Sequence, residues 1–315
     1  MIRTAVVGVG YLGRFHAQKY AGLPNSQLVG VADPSAAARE KLASELGVAV
    51  HEDYRDLLGS VDAVSVVTPT ASHFEVAKAF LEAGASVLVE KPMTVTIAEG
   101  QSLIEIAARA KRILQVGHLE RFNAAVLAVQ PTLTVPRFIE SARLAPFKHR
   151  GTDVDVVLDL MIHDIDLILS IVRSPVVSVD AIGSSVFSKE IDIANARLRF
   201  ANGCVANATA SRVSLKTERK LRVFQDDAYM SLDLQQKILT VIRKGNGVSA
   251  DGMPQVAIEE NTYEQGDALR SEIEAFLDAV ATGRAPPVTG EDGLLALSTA
   301  VSIAEQVASS MTMFS

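Results

Sequence analysis

Cysteine is almost missing from this 315-residue chain. Cys204 stands alone, so no disulfide can close within the sequence and no paired-cysteine metal set can form. Long apolar runs are scarce as well: none approaches the roughly 20 residues needed to span a bilayer. Positive charge is in deficit, 30 basic against 37 acidic residues for a net charge of −7, which argues against nucleic acid or an anionic membrane as the main partner. Low-complexity tracts, internal repeats and an obvious flexible linker are also lacking. The opening "MIRTAVVGVG" runs straight into a strand pattern without a signal-peptide cleavage site, and a cytoplasmic protein is expected. What remains is 48% hydrophobic and 21% charged, a globular balance in a chain long enough for two domains.

Residues 1–118 alternate short β-branched runs ("TAVVGVG", "QLVGVAD", "VAVH", "AVSVVTP", "SVLVEKP", "ILQVGH") with helical patterns, among them "YLGRFHAQKYAGL", "YRDLLG" and "TIAEGQSLIEIAARAK". Strands that are apolar throughout and joined by helices predict a parallel sheet covered on both faces, a doubly wound α/β domain. From residue 119 the texture changes. "PRFIESARLA", "VVSVDAIGSS", "IDIANARLRF", "CVANATASR", "RKLRVFQD" and "AYMSLDL" alternate with period two, predicting an open-faced mixed or antiparallel sheet in an α+β domain over 119–315. Two closing helices, 265–282 and 290–311, are candidates to pack back on the first domain. The two domains are expected to share a cleft.

Gly8-x-Gly10-x-x-Gly13 follows the first strand directly and opens the first helix, with Tyr11 and Leu12 inside the turn. Gly8 suits a tight turn, Gly10 lets backbone approach a pyrophosphate, and Gly13 permits close helix–strand packing. The helix N-terminus supplies unpaired N–H groups for the anion. Asp33 ends the second strand 20 residues after Gly13, where a carboxylate accepts both ribose hydroxyls and repels a 2′-phosphate. The first domain is therefore read as a Rossmann domain for NAD rather than NADP. Thr68-Pro69-Thr70 after the fourth strand, with His73 beyond it, faces the same sheet edge, although a plain threonine cap explains these residues equally well.

Glu90-Lys91-Pro92 closes the fifth strand; Pro92 restricts Lys91 and aims it, while a solvated strand-end lysine is the bland alternative. The helix "VLDLMIHDIDLILS" is apolar almost all round yet carries Asp159, His163, Asp164 and Asp166. On an ideal wheel His163 and Asp166 lie about 40° and −20° from Asp159, one stripe that is read as lining a cavity, with Asp164 needing a separate partner. Asp159 one turn before His163 suits an oriented base. An interdomain hydrogen-bond network without chemistry is the alternative.

With the glycine fingerprint, "EKP" and "DLMIHDIDL" in this order, the chain resembles the Gfo/Idh/MocA oxidoreductases over essentially its whole length. The resemblance implies a Rossmann domain joined to an open-faced mixed sheet, a bound nicotinamide cofactor, and Lys91 and His163, with Asp159, around a reacting alcohol. Many members have a glycine run before the D-x-x-x-H helix, where this chain has "GTDVDVV". "GHLERFN" is similar, more narrowly, to the nucleotide-sugar 3-dehydrogenases acting on UDP-N-acetylglucosamine or its uronic acid, although Ala124 stands where their pattern often has proline. That likeness implies NAD-dependent oxidation at C3 of the sugar, with Glu120, Arg121 and Asn123 on sugar or N-acetyl group and Lys148, His149 and Arg150 as a diphosphate clamp. An exposed basic loop is the other reading of the last three. Alternatives are the uronic acid as substrate, a free polyol such as an inositol, and a non-catalytic NAD-bound regulator. The likeness also implies a homodimer or homotetramer through the open sheet face, and a downstream aminotransferase in a lipid A type of pathway.

Overall fold

The computed structural model describes residues 1–147, 154–248, 254–263 and 266–312. They divide into two compact units, Met1–Leu119 with Ala268–Leu295, and Glu120–Asp267 with the chain from Ala296 on.

The first unit holds a six-stranded sheet, built of β1 (Ile2–Val7), β2 (Ser26–Ala32), β3 (Ala49–His51), β4 (Ala63–Val66), β5 (Ser86–Glu90) and β6 (Leu114–Gly117). All neighbours are parallel and the order is β3-β2-β1-β4-β5-β6, as the six apolar runs predict. Every residue of β4, β5 and β6 is buried, which is why these strands lack alternation. Helices α1 (Tyr11–Gly22), α2 (Ala36–Leu46), α3 (His73–Glu82) and α4 (Ile97–Ala110) connect the strands. α4 starts with a capping box, Thr96 accepting the Glu99 N–H and Glu99 accepting the Thr96 N–H. "YRDLLG" forms only a 3₁₀ turn, Tyr54–Leu57, capped by Asp53. The order reverses between β1 and β4, the switch point where ligands of such sheets bind.

The second unit holds an eight-stranded mixed sheet with the order β14-β13-β12-β11-β7-β10-β9-β8. Its strands are β7 (Phe138–Leu144), β8 (Val176–Ser184), β9 (Ile193–Phe200), β10 (Val205–Ser211), β11 (Glu218–Phe224), β12 (Ala228–Asp233), β13 (Ile238–Val248) and β14 (Pro254–Thr262). Only β7 and β10 run parallel; the other neighbours are antiparallel. One face carries the core, with Ile139, Ala196, Ala208 and Leu221 fully buried. The other bears a polar ladder: Arg222 to Glu140, Arg197 to Asn207 and Asn195 to Thr209. β13, β14 and the short α5 (Ala124–Val129) are additions to the sequence reading.

The core face packs against α6 (Ile162–Val172), which is preceded by a π-helical turn at Val157–Met161. The chain closes with α7 (Ala268–Thr282) and α8 (Gly290–Thr312). By length and composition alone α8 is long and apolar enough to cross a membrane, because its alanines, valines and leucines hold mean hydropathy at 1.2 over Gly290–Met311. Its Ala296, Ala300, Ile303 and Val307 are nonetheless buried in the core of the second unit. The sequence-based domain boundary and the return of the closing helices concern how the units associate, and remain proposals.

Candidate active site

The loop after β1 is built on glycine. Gly8 has φ +84°, and a Cβ there would meet Val67 O at 2.6 Å. A Cβ on Gly13 would strike Gly8 O at 1.8 Å, so α1 packs against the loop only because position 13 lacks a side chain. Above Gly10, by contrast, nothing lies within 4 Å of that position. Gly10 is also the N-cap of α1, with no side chain capping its first turn and no acidic residue in it. Open backbone at a helix N-terminus fits a pyrophosphate. Tyr11 is exposed and stands edge-on to Phe15 at 5.5 Å between centroids.

Asp33 does more than end β2. Its Oδ2 accepts the Val9 N–H at 2.7 Å and its Oδ1 the Ser35 N–H at 2.8 Å, so one carboxylate ties the glycine loop to the β2–α2 turn. It also lines a cavity of about 560 Å³ together with Gly8, Pro34, Arg55, Thr68 and Pro69. The residues therefore fit the adenosine half of a dinucleotide, and a carboxylate at this wall fits unphosphorylated ribose.

His73 is buried, with Nδ1 2.9 Å from Pro92 O and Nε2 2.9 Å from Thr68 O. It is a strut between the Thr68–Thr70 segment and the Glu90-Lys91-Pro92 turn, and burial lowers its imidazole below the ordinary range despite both carbonyls. Thr70 opens a 3₁₀ turn after Pro69. Glu90 is buried at the end of β5, Lys91 is half-buried, and the Lys91–Pro92 peptide is cis.

In the second unit the four acidic and basic groups of the α6 region separate into two kinds. Asp164 receives a bidentate Arg143, with Nε–Oδ2 at 2.9 Å and Nη2–Oδ1 at 3.0 Å. Asp166 receives a bidentate Arg121, both distances 2.7 Å. Both carboxylates are 1% exposed. A π turn across residues 157–161 precedes α6, so the fixed 3.6 period relates His163 and Asp166, both on α6, but does not carry unchanged back to Asp159. Asp159 and His163 remain half-buried.

Glu120 and Asn123 belong to the same buried network. Arg143 Nη1 reaches Glu120 Oε1 at 3.0 Å, and the Asn123 amide donates to Glu120 at 3.2 Å and to Leu234 O at 2.8 Å. Burial alone would lower the Arg143 guanidinium, but the charges of Asp164 and Glu120 hold it above its ordinary value. Of the three residues assigned to the sugar, Arg121 keeps the most exposure, 14% of its side chain. Lys148, His149 and Arg150 lie outside the described residues.

Comparison with known proteins matches residues 2–118 to the Gfo/Idh/MocA "Oxidoreductase family, NAD-binding Rossmann fold" and residues 147–313 to that family's C-terminal alpha/beta domain. The chain belongs to the Gfo/Idh/MocA oxidoreductases. Residues 2–118 are the family's NAD-binding Rossmann domain, and NAD is its cofactor. It is 41% identical to the UDP-N-acetylglucosamine 3-dehydrogenase of Acidithiobacillus ferrooxidans, covering 96% of each chain. A solved structure of an Acidithiobacillus ferrooxidans UDP-N-acetylglucosamine 3-dehydrogenase superposes with a TM-score of 0.92 at 40% identity, covering 97% of each. Inositol 2-dehydrogenase of Rhizobium meliloti is 26% identical, over 98% of this chain and 97% of its own.

His16 and Glu272, which no local motif in the sequence singles out, lie near Glu90, and Ser65 stands against His16. His16 stands inside the "GRFHA" that follows the fingerprint; its signal was a histidine on the buried side of an otherwise ordinary helix.

Proposed function

We propose that this oxidoreductase oxidises the C3 hydroxyl of UDP-N-acetylglucosamine to the 3-keto sugar. The observation that carries the reading is the 41% identity, over 96% of both chains, to a protein named for that reaction. NAD+, when bound, supplies the hydride acceptor. Gly8, Gly10, Gly13 and Asp33 hold it, with Thr68, Pro69 and Thr70 along the same edge. His163 takes the hydroxyl proton as the C–H bond breaks, and Asp159 orients its ring. Lys91 carries a positive charge to the developing alkoxide, a fixed electrostatic contribution of the kind that is often the largest in catalysis. Arg121 and the Lys148–Arg150 cluster are assigned to sugar and diphosphate.

Chain assembly as a dimer or tetramer through the open face of the eight-stranded sheet, a cytoplasmic location and an aminotransferase acting on the ketone complete the reading. The aminotransferase is inferred from chemistry: a 3-keto sugar is a ready acceptor for an amino group.

Similarity to inositol 2-dehydrogenases supports a second reading, a free polyol as substrate. The two are separated by assaying UDP-N-acetylglucosamine and myo-inositol side by side with a carbonyl reagent that draws the equilibrium forward. Turnover of the nucleotide sugar alone is expected; turnover of inositol alone overturns the assignment.

A further inference from the structure

The deepest polar cluster of the first unit lies around Glu90 and belongs to no step assigned above. His16 on α1 is fully buried, its Nδ1 3.1 Å from Ser65 Oγ and its Nε2 3.2 Å from Glu90 Oε1. Ser65 Oγ is in turn 2.8 Å from the Tyr20 hydroxyl. The other Glu90 oxygen, Oε2, accepts the backbone N–H of Lys91 at 3.2 Å. β6 closes on the same carboxylate: a Cβ at Gly117 would stand 3.0 Å from it. Glu272 on α7 is 0% exposed, and neither of its oxygens has a hydrogen-bond partner among the described residues. It nevertheless offers an oxygen within 4.8 Å of the atoms that His16 and Glu90 present. Gln115 bonds the Glu272 main-chain carbonyl and leaves the carboxyl alone.

We propose that His16 and Glu272 are positioning residues for Lys91, acting through Glu90. His16 fixes one Glu90 oxygen and leaves the other to hold the Lys91 main chain, while Glu272 fills the remaining side as an uncharged neighbour. The inference rests on the assignment of Lys91 to the alkoxide.

A buried carboxylate with no donor and no cation is too costly to stay ionised. Burial and the Glu90 charge push the Glu272 carboxyl well above the ordinary range, so it keeps its proton. Burial pushes Glu90 up too, but the His16 contact and the charges of His16 and Lys91 bring it below its ordinary value. Two carboxyls driven apart in this way take different roles. Glu90 is then the ionised carboxyl of the pair, one residue from the Lys91 ammonium. The groups facing the pair are His16 and Tyr20 from α1, Ser65 from β4, His73 from α3, Lys91 from the end of β5, and uncharged Gln115 from β6. Loss of the Glu90 charge would make Lys91 more acidic, and displacement of Glu90 would move the main chain from which Lys91 projects.

The test is carried out on the full-length, NAD-loaded enzyme. The pH dependence of Lys91 acetylation, followed by mass spectrometry, reads the protonation of the lysine without using turnover. In His16→Asn, which keeps the Ser65 bond but falls short of Glu90, and in Glu90→Gln, the acetylation midpoint should move to lower pH. Turnover of His16→Asn should drop about 10- to 100-fold, the cost of a misplaced catalytic group, with KM for NAD changed no more than about twofold. His16→Gln, whose amide reaches the Nε2 position, should recover part of the loss. Glu272→Ala should also lower turnover, and Glu272→Gln should rescue it.

An unmoved Lys91 midpoint in both His16→Asn and Glu90→Gln overturns the proposal, as does failure of glutamine to rescue position 272. Elemental analysis showing one equivalent of divalent metal, lost in Glu272→Gln, overturns it in favour of a metal site. If Lys91→Ala retains turnover while the midpoint shifts persist, the reading of Lys91 has failed and the coupling within the cluster has not.

Discussion

The two units bury carboxylates in opposite ways. In the second, every deep carboxylate around α6 meets an arginine: Asp164 and Glu120 share Arg143, and Asp166 has Arg121. In the first, Glu90 has an imidazole and the neighbouring lysine, and Glu272 has no hydrogen-bond partner among the described residues. A planar guanidinium with fixed donors saturates a carboxylate and locks it into the fold. An imidazole and an unsaturated carboxyl leave charge and protons free to respond. The comparison teaches that burial alone does not mark chemistry; the nature of the partner does.

The largest effects should fall on the groups that we assign to the reaction. Lys91→Ala and His163→Ala are each expected to lower turnover by about 10²- to 10⁴-fold, the range of a general acid–base or charge-stabilising group. Calorimetric titration should show NAD binding retained. A variant of either that turns over normally breaks the assignment.

Arg143→Met should act on stability instead, because it leaves Asp164 buried without its bidentate partner and Glu120 with the more exposed Arg219 at 3.6 Å. Breaking such a pair costs about 3–5 kcal/mol, to be read from urea unfolding. A stable Arg143→Met would mean that the network is not what holds α6 to its sheet.

Asp33→Ala should remove a charged acceptor from two backbone N–H groups, worth about 1.5–3 kcal/mol each when intact. Weaker NAD binding and poorer discrimination against NADP are expected, measured as the ratio of the two dissociation constants. An unchanged ratio counts against the ribose assignment.

The smallest effects are set by pH. Burial would raise the Asp192 carboxyl, but the Ser188 hydroxyl and the N–H groups of Ser188, Phe187 and Val186 donate to it and hold it down to about 2. Its folded value lies below its unfolded one, so the stabilisation is present above the unfolded value and lost as pH falls through the folded one. The loss is about 2 kcal/mol between about pH 5 and pH 2, and Asp192→Asn should flatten that part of an acid-unfolding curve. Glu272 has the opposite sign. Its folded value lies above its unfolded one, so its contribution is complete in acid and declines as pH rises through the folded value. Thermal unfolding should therefore show stability declining as pH rises above the ordinary glutamate range, a decline that is weaker in Glu272→Gln.

Local features were legible in the sequence. The glycine fingerprint, the strand-end Glu90-Lys91-Pro92 and the helix with Asp159 and His163 each lie within a dozen residues, so spacing and residue type suffice to find them. The six parallel strands were equally plain, because strands buried on both faces are apolar throughout. What stayed hidden depends on distant pairing. Nothing near Asp164 announces Arg143, and nothing near Glu90 announces His16 or Glu272. β14 was missed because "EENT" carries charge on the edge strand of a sheet, and β13 because "IRKGNG" carries charge and glycine next to it, where burial does not demand apolar alternation. A π turn such as Val157–Met161 is likewise invisible to a fixed period of 3.6.

The most direct test of the account is to incubate UDP-N-acetylglucosamine with the enzyme and NAD+, trap any ketone with borodeuteride, and locate the label by mass spectrometry. Deuterium at C3, absent when His163→Ala replaces the wild type, is the predicted result. Label at another carbon, or none while NAD binding is demonstrated, would contradict it.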